Sequence, residues 1–435
     1  MSNTAPPGVF KMTENGYIPE DWQFVPLESV ASEGLKDGTH NPPKRFATGV
    51  PLLSARNIKL GYVDWEEDYT YITEEDYDHL SKSIRIEPGD ILLTIVGTIG
   101  RSCICPSDRV FSLQRSVAIV KPRRDLIFPA FLMFYFNSHR FRKELMSKAI
   151  GSAQKGVYLN KLRSLQIPLP KLAEQRKIAA VLSTVWEAKE KTQAVIGAAK
   201  ALKKSLMKRL FTHGSVSISD AGDLALKETE VGAIPEKWSI VKLSDVATIE
   251  RGKFAHRPRN DPDYYGGSIP FIQTGDIANA EVYVRGCSQT LNERGLSISR
   301  VFPKNTLVIT IAANIGDVAM LGFDCAFPDS VIGITPGSKI DSLFLLYYLK
   351  TQREKMNALA PRGTQKNINI QFLRPWPVPL PPLSEQKAIA ESILCVDEKV
   401  EAEQDRLRGL SEVFQALLGD LVTGRLRVIN LEAPT

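Results

Sequence analysis

Long hydrophobic runs are absent from this chain of 435 residues. No stretch approaches the ~18–20 uninterrupted apolar residues of a membrane span, so no transmembrane helix is expected. Met1 to Phe10 is polar and proline-containing, without the basic-then-apolar profile of a secretory signal. Cysteine is scarce: Cys103, Cys105, Cys287, Cys325 and Cys395 are scattered and odd in number. That excludes a disulfide scaffold and points to reduced thiols in the cytoplasm. The five histidines, His40, His79, His139, His213 and His256, lie far apart, and none pairs with a cysteine at metal-ligand spacing. Cys103-x-Cys105 has no second pair, so neither zinc nor any other metal site is expected.

Catalytic motifs are missing as well. There is no Gly-x4-Gly-Lys-Ser/Thr phosphate loop and no dinucleotide fingerprint. Asn41-Pro42-Pro43-Lys44 has the outline of an adenine-methyltransferase motif, but lysine replaces the aromatic that would stack on a base. It reads as a turn. Glu187-Ala188-Lys189 has a nuclease-like spacing but falls inside a long helical pattern, where a metal site would not form. The chain is expected to be non-catalytic.

What is present is an ordinary globular composition, 43% hydrophobic and 24% charged, with a net charge of +6. At ~150 residues per domain, about three domains are expected. The charge permits nucleic-acid binding without demonstrating it.

The informative feature is a long repeat. Glu14-Asn15-Gly16-Tyr17-Ile18-Pro19-Glu20-Asp21-Trp22 returns as Glu230-Val231-Gly232-Ala233-Ile234-Pro235-Glu236-Lys237-Trp238, shifted by 216. Ile91 to Gly100 returns as Leu307 to Gly316 at the same shift. From Gly151-Ser152-Ala153-Gln154-Lys155, which answers Arg362-Gly363-Thr364-Gln365-Lys366, the shift locks at 211 and holds through Thr212 and Thr423. Drifting shifts mean loop insertions, and the locked shift means one rigid element copied twice. Past it the copies part, because Thr212-His213-Gly214 stands where the distal copy has Thr423-Gly424-Arg425. The central helix end is therefore expected to dock its partner differently from the distal one.

The organisation follows. After an N-terminal segment (1–13) come a mixed segment (14–170), a central helix (171–213) and a linker (214–229). A second mixed segment (230–381), a distal helix (382–424) and a tail (425–435) complete the chain. The mixed segments combine short β-branched runs with Gly, Pro and Asn clusters and helical stretches such as Phe128–Ser147 and Asp341–Leu359. This is an α+β pattern. The distal helix carries Ile389, Ile393, Val396, Val400, Glu403, Leu407, Leu410, Phe414, Leu417 and Leu421 at alternating spacings of four and three. The central helix carries Ile178, Val181, Val185, Ala188, Thr192, Val195, Ala199, Leu202 and Leu206, with an overlapping row of Leu182, Ile196 and Leu210. Such a period asks for a partner helix. Residues 171–213 carry +7 and residues 383–425 carry −4, which favours pairing the two with each other. Gly197, Gly409 and Gly419 work against unbroken rods.

Polar and basic clusters fall in the irregular parts of both mixed segments. The first holds Lys36, Thr39, Lys44, Arg45, Arg56, Asn57, Arg101, Gln114, Arg115, Gln154 and Lys155. The second holds Arg251, Lys253, His256, Arg257, Arg259, Asn260, Gln273, Asn314, Arg362, Gln365, Lys366 and Asn367. Arg, Lys, Asn and Gln pair with base edges and phosphates, so these are candidate DNA contacts. The copies differ where readers of different sequences would: Gln114-Arg115 matches Pro328-Asp329, Thr98 matches Asn314, and Arg101 matches Asp317. An asymmetric, two-part site is expected.

Over nearly its whole length the chain resembles the specificity subunit of Type I restriction-modification enzymes. The two Trp-terminated motifs carry the resemblance, with Pro379-Leu380-Pro381-Pro382-Leu383-Ser384-Glu385-Gln386, its copy Pro168 to Gln175, and Leu421-Val422-Thr423-Gly424-Arg425. The resemblance implies two mixed α/β target-recognition domains, each on one half of a bipartite duplex DNA site, joined by an antiparallel coiled coil. It implies no bound cofactor in this chain. Its partners would be two adenine-N6 methyltransferase subunits using S-adenosylmethionine, and restriction subunits using ATP and Mg. The competing reading is a stand-alone coiled-coil scaffold, or a DNA- or protein-binding module, without such partners.

Overall fold

A two-stranded antiparallel hairpin stands at the start of each mixed segment. The computed structural model describes residues 10–13, 16–83, 85–151, 155–217, 224–254, 261–312, 314–361 and 367–428. Phe10–Thr13 pairs antiparallel with Gly16–Pro19, and Leu226–Thr229 with Gly232–Pro235. The chain divides into two compact units, residues 1–192 with 406–435, and residues 193–405. The division cuts both long helices, so each unit owns half of each.

In the first unit, Gln23–Pro26 pairs antiparallel with the proline-rich Gln166–Leu169. A four-stranded sheet runs Lys36–Asp37, Val117–Val120, Ile91–Thr94, Ser102–Ile104. A smaller sheet runs Thr70–Ile72, Val50–Leu53, Ser112–Leu113. Ile91–Thr94 and Val117–Val120 are buried at every position, which is why they read as continuous β-branched runs and not as alternating ones.

The second unit repeats the plan. Ser239–Lys242 pairs with Pro377–Leu380. Its larger sheet runs Ala247–Arg251, Val331–Pro336, Leu307–Thr310, Val318–Leu321, Tyr283–Val284. Its smaller sheet runs Gln289–Leu291, Tyr265–Phe271, Cys325–Ala326, Val301–Phe302.

The helical stretches of the mixed segments are each broken once. Phe128–Ser147 is two helices, Pro129–Asn137 and His139–Ser147. Ser138 turns extended between them, and its Oγ accepts from the Phe141 N–H at 3.3 Å as a new N-cap. Asp341–Leu359 likewise splits into Ser342–Thr351 and Arg353–Leu359. Hydrophobic period alone does not reveal these breaks, because the buried face continues across them.

The long helices run Leu172–His213, 42 residues, and Leu383–Leu421, 39 residues. The glycines do not break them. A Cβ at Gly197, Gly409 or Gly419 would meet nothing within 4 Å, so these positions cost helix propensity only. On the central helix the buried seam draws on both rows: Ile178 and Thr192 of the first and Leu182, Ile196 and Leu210 of the overlapping one are buried, whereas Val195 and Leu202 are 42% and 58% exposed. Val185 and Leu206 are half-buried at its edge. On the distal helix Ile389, Ile393, Val400, Phe414 and Leu421 are buried, with Val396, Leu407, Leu410 and Leu417 half-buried. Within the first unit Ile178 and Leu182 share a core with Phe414, Leu418 and Leu421. Within the second, Leu210 shares one with Ile389 and Ile393. The start of one helix thus lies beside the end of the other, an antiparallel pair. The opposite charges meet at Lys203–Asp397, 2.5 Å apart.

The repeated Glu-Gln at each helix start joins helix to mixed segment. Trp22 Nε1 donates to Glu174 Oε2 at 3.1 Å, and Trp238 Nε1 to Glu385 Oε2 at 3.2 Å, both tryptophans being fully buried. Gln175 Oε1 accepts from the Phe128 N–H at 2.7 Å, while its amide donates to the Leu126 and Pro170 carbonyls at 2.9 and 2.8 Å. Gln386 does the same with Asp341, Lys339 and Pro381, at 2.7, 3.2 and 2.8 Å. Each buried side-chain polar group is met by one placed to complete it.

The helix ends close on the same tryptophans. Gly214 (φ +74) lies against Trp238 and Gly424 (φ +71) against Trp22, where an added Cβ would come within 3.2 Å of each ring. Gly214 therefore plays the part of Gly424, one residue later than the locked shift places it. Beyond the glycine the two ends differ. Arg427 binds Glu174 at 2.7 and 3.1 Å and Asp21 at 2.9 and 2.8 Å. In the second unit the Ser215 N–H and Lys237 Nζ approach Glu385, at 3.4 and 3.6 Å.

Candidate nucleic-acid interface

In the first unit the candidate loops are tied into one rim by backbone bonds. The Arg115 N–H donates to the Thr39 carbonyl at 3.1 Å, and the Gln114 N–H to that of Leu53 at 2.8 Å. Ser116 Oγ accepts from the Ala55 N–H at 3.0 Å, and Thr98 Oγ1 donates to the Ala55 carbonyl at 3.3 Å. The Gly97 N–H donates to the Lys155 carbonyl at 3.4 Å. Segments far apart in sequence (39–41, 54–57, 97–101, 114–116 and 155–156) thus share one edge of the sheets.

The rim exposes Lys36, Lys44, Arg45, Arg56, Arg115 and Lys155, with Arg101 and Gln114 half-buried. Lys36 Nζ donates to the Ser83 carbonyl at 2.8 Å, and Lys44 Nζ lies 5.7 Å over the Phe46 ring. Two candidates are internal. Asn57 is fully buried: its Oδ1 accepts from the Ser54 N–H at 3.0 Å and its Nδ2 donates to the Asp64 and Glu67 carbonyls at 3.4 and 3.2 Å. Its amide is spent on folding its own loop. Thr39 is 6% exposed, and its hydroxyl donates to the Asn41 carbonyl at 3.1 Å. Gln154 lies outside the described residues.

The second unit builds the equivalent rim with the same backbone bonds. The Ile95 N–H donates to the Ser116 carbonyl at 2.9 Å, and the Ile311 N–H to that of Ser330 at 3.1 Å. Thr94 Oγ1 accepts from the Arg101 N–H at 2.9 Å, and Thr310 Oγ1 from the Asp317 N–H at 3.1 Å. Gly100 and Gly316 turn these loops at φ +89 and +86, conformations that favour glycine. Arg251 and Lys253 are exposed, and Arg251 Nε donates to the Asp329 carbonyl at 2.6 Å. Asn314 and Asn367 are exposed, with Ala312 bridged to Asn367. Gln273 Nε2 donates to Gln289 Oε1 at 2.8 Å beside an aromatic-lined hollow of Phe254, Tyr265 and Phe271. His256, Arg257, Arg259, Asn260, Arg362, Gln365 and Lys366 lie outside the described residues.

The charge on the two rims differs. Asp317 is held by Arg353 at 2.9 Å. At the matching place stand Arg101 and Arg142, whose Nε donates to the Gly100 carbonyl at 3.1 Å. Burial first, then the nearby Arg101, holds Arg142 below its ordinary value. Arg142, Ser116 and Gln289 did not stand out in sequence. Ser116 and Arg142 were detectable, since Ser330 and Arg353 repeat them, but Gln289 becomes visible only when the chain folds.

Among the described residues no three of His, Cys, Asp or Glu are placed to hold a metal. Burial pushes Cys103 and Cys105 up to about 12, so these thiols stay protonated. Lys189 lies 5.0 Å over the Phe414 ring, a packing role inside the helix. No described helix is long and apolar enough to cross a membrane.

Fold and site together define a tandem recognition protein, two copies of one loop-bearing module mounted on paired helices. The family model of the Type I restriction modification DNA specificity domain matches twice, at residues 19–196 and 235–412. The chain belongs to that family of DNA-specificity proteins. It is 28% identical over 435 residues to the putative type I restriction enzyme MjaX specificity subunit of Methanocaldococcus jannaschii, covering 96% of this chain and 97% of that one. It is 25% identical over 209 residues to the EcoKI specificity subunit of Escherichia coli, covering 45% and 44%. In three dimensions it is similar to the Type I restriction-modification S subunit from M. genitalium, with TM-score 0.60, 16% identity, and 94% and 97% coverage.

Proposed function

We propose that this chain is the non-catalytic sequence-recognition subunit of a Type I restriction-modification complex, binding an asymmetric bipartite duplex DNA site. Each module takes one half-site. One observation carries this reading: two loop rims built by the same backbone bonds present different side chains, Arg101 against Asp317 and Gln114-Arg115 against Pro328-Asp329. Exposed arginines, asparagines and glutamines would read base edges in the major groove, and lysines such as Lys155 would hold phosphates. The 42-residue central helix, about 63 Å at 1.5 Å per residue, would set an unread spacer.

The two repeated units would offer two similar surfaces for two adenine-N6 methyltransferase subunits. S-adenosylmethionine, ATP and Mg would serve chemistry on those subunits and on restriction subunits. The test is co-expression with the methyltransferase subunit and mapping of methylated adenines. The expected result is one two-part motif with marks on opposite strands, and a continuous or palindromic motif would contradict the reading.

A further inference from the structure

A cavity of about 570 Å³ in the second unit lies between the central helix, the hairpin at Gly232–Pro235 and the helix Ser342–Thr351. That volume is in the range of small-molecule sites. Met207, Phe211 and Ile234 give it an apolar floor, and Lys200, Lys204 and Lys208 line one side. The three lysines are exposed and stand one helical turn apart, ~6 Å per step. Among the described residues no carboxylate pairs with them, and the lining carboxylate is Glu354. Deeper in, Lys350 donates to the Glu281 carbonyl, and burial first, then the Lys203 ammonium, holds it below the ordinary lysine value. A bound anion would favour the charged form of Lys350.

The lysine row belongs to one copy. At the locked shift of 211, Lys200, Lys204 and Lys208 correspond to Ser411, Gln415 and Gly419. A partner bound equally by both repeats therefore does not account for the row. The ligand's chemistry follows from the spacing of the cations. The arginine fork suits one carboxylate or phosphate at a time, whereas a row of lysine point charges along a helix suits a ligand carrying several successive negative charges, as a triphosphate does. The arginine lining this cavity, Arg353, is already held by Asp317 at 2.9 Å.

We propose that this cavity binds a nucleoside triphosphate, as a ligand and not as a reactant, with its phosphates on Lys200, Lys204 and Lys208 and its base on the apolar floor. Calorimetric titration of the full chain with ATP in excess EDTA tests this, with inorganic tripolyphosphate and AMP as comparators. Tripolyphosphate should compete with ATP, AMP should bind at least tenfold more weakly, and K204Q/K208Q should weaken ATP at least tenfold. Duplex DNA binding by that variant, measured without nucleotide, should be unchanged. Failure of ATP to bind, binding that the variant leaves intact, or joint loss of ATP and DNA binding would each overturn the assignment. So would a polyglutamate peptide that binds where ATP does not, which would give the site to an acidic protein segment. Failure of the unmodified chain to bind DNA bears on the recognition reading alone.

Discussion

Arg427 holds Glu174 at 2.7 Å and, through it, the indole of Trp22, which donates to the same carboxylate at 3.1 Å. The C-terminal segment is thereby fastened to the first turn of the central helix and to the N-terminal repeat motif. Glu174 is 8% exposed and Arg427 is 26% exposed. Arg427→Ala should destabilise the first unit by on the order of 2–4 kcal/mol, near the low end of breaking a buried pair because the arginine is partly wet. Urea unfolding followed by tryptophan fluorescence measures this. Arg427 also holds Asp21 below its ordinary value of 3.8. A carboxylate depressed in the folded state adds stability above its unfolded value and loses it as pH falls through its folded value. The stabilisation from Asp21 should therefore fade below about pH 3.8 in the natural chain and be reduced in Arg427→Ala.

Gly197 and Gly409 lie in helix interiors with open space where a Cβ would stand. Gly197→Ala and Gly409→Ala should each stabilise their own unit by up to about 1 kcal/mol, seen as a raised urea midpoint with unchanged slope. Loss of stability would mean that the positions are packed.

Arg56 and Asn57 are adjacent in sequence and opposite in role. Asn57→Ala removes three hydrogen bonds inside a buried loop and should cost about 1–3 kcal/mol of stability with base preference unchanged in whatever folds. Arg56→Ala should leave the melting temperature within about 1 °C, because exposed positions contribute within about 0.5 kcal/mol, and should weaken DNA binding. Competition binding on a duplex library, beside thermal unfolding, separates the two.

Lys155→Ala and Arg115→Ala should also part company. As a phosphate contact, Lys155 should weaken all sequences alike and reduce the slope of log affinity against log salt by about 0.9. As a base contact, Arg115 should cost about 1–3 kcal/mol on the preferred duplex and relax one position of one half-site. Equal effects on every duplex from both variants would remove the base-reading role.

The repeat and the long helices were legible because each is a pattern along the chain. Trp22, Trp238, Glu174 and Glu385 stood out by recurrence, though their bonding to one another did not. The seam of the central helix was ambiguous because two heptad rows overlap, and only the mixed segment packed against it decides that Leu182 goes in and Val195 stays out. Asn57 looked like a reader because its residue type suits adenine, but the same amide suits a buried turn, and burial is not written in residue type. The Arg101–Arg142 neighbours are set by where the helix His139–Ser147 packs, and Gln273–Gln289 by strand pairing, neither of which residue type reveals.

The most direct test is replacement of residues 230–381 by the matching segment of a relative with a different known half-site, followed by mapping of methylated adenines in cells that supply the methyltransferase subunit. One half of the motif should change while the other half and the spacer stay as they were. A change in both halves, or in neither, would contradict recognition by two independent modules.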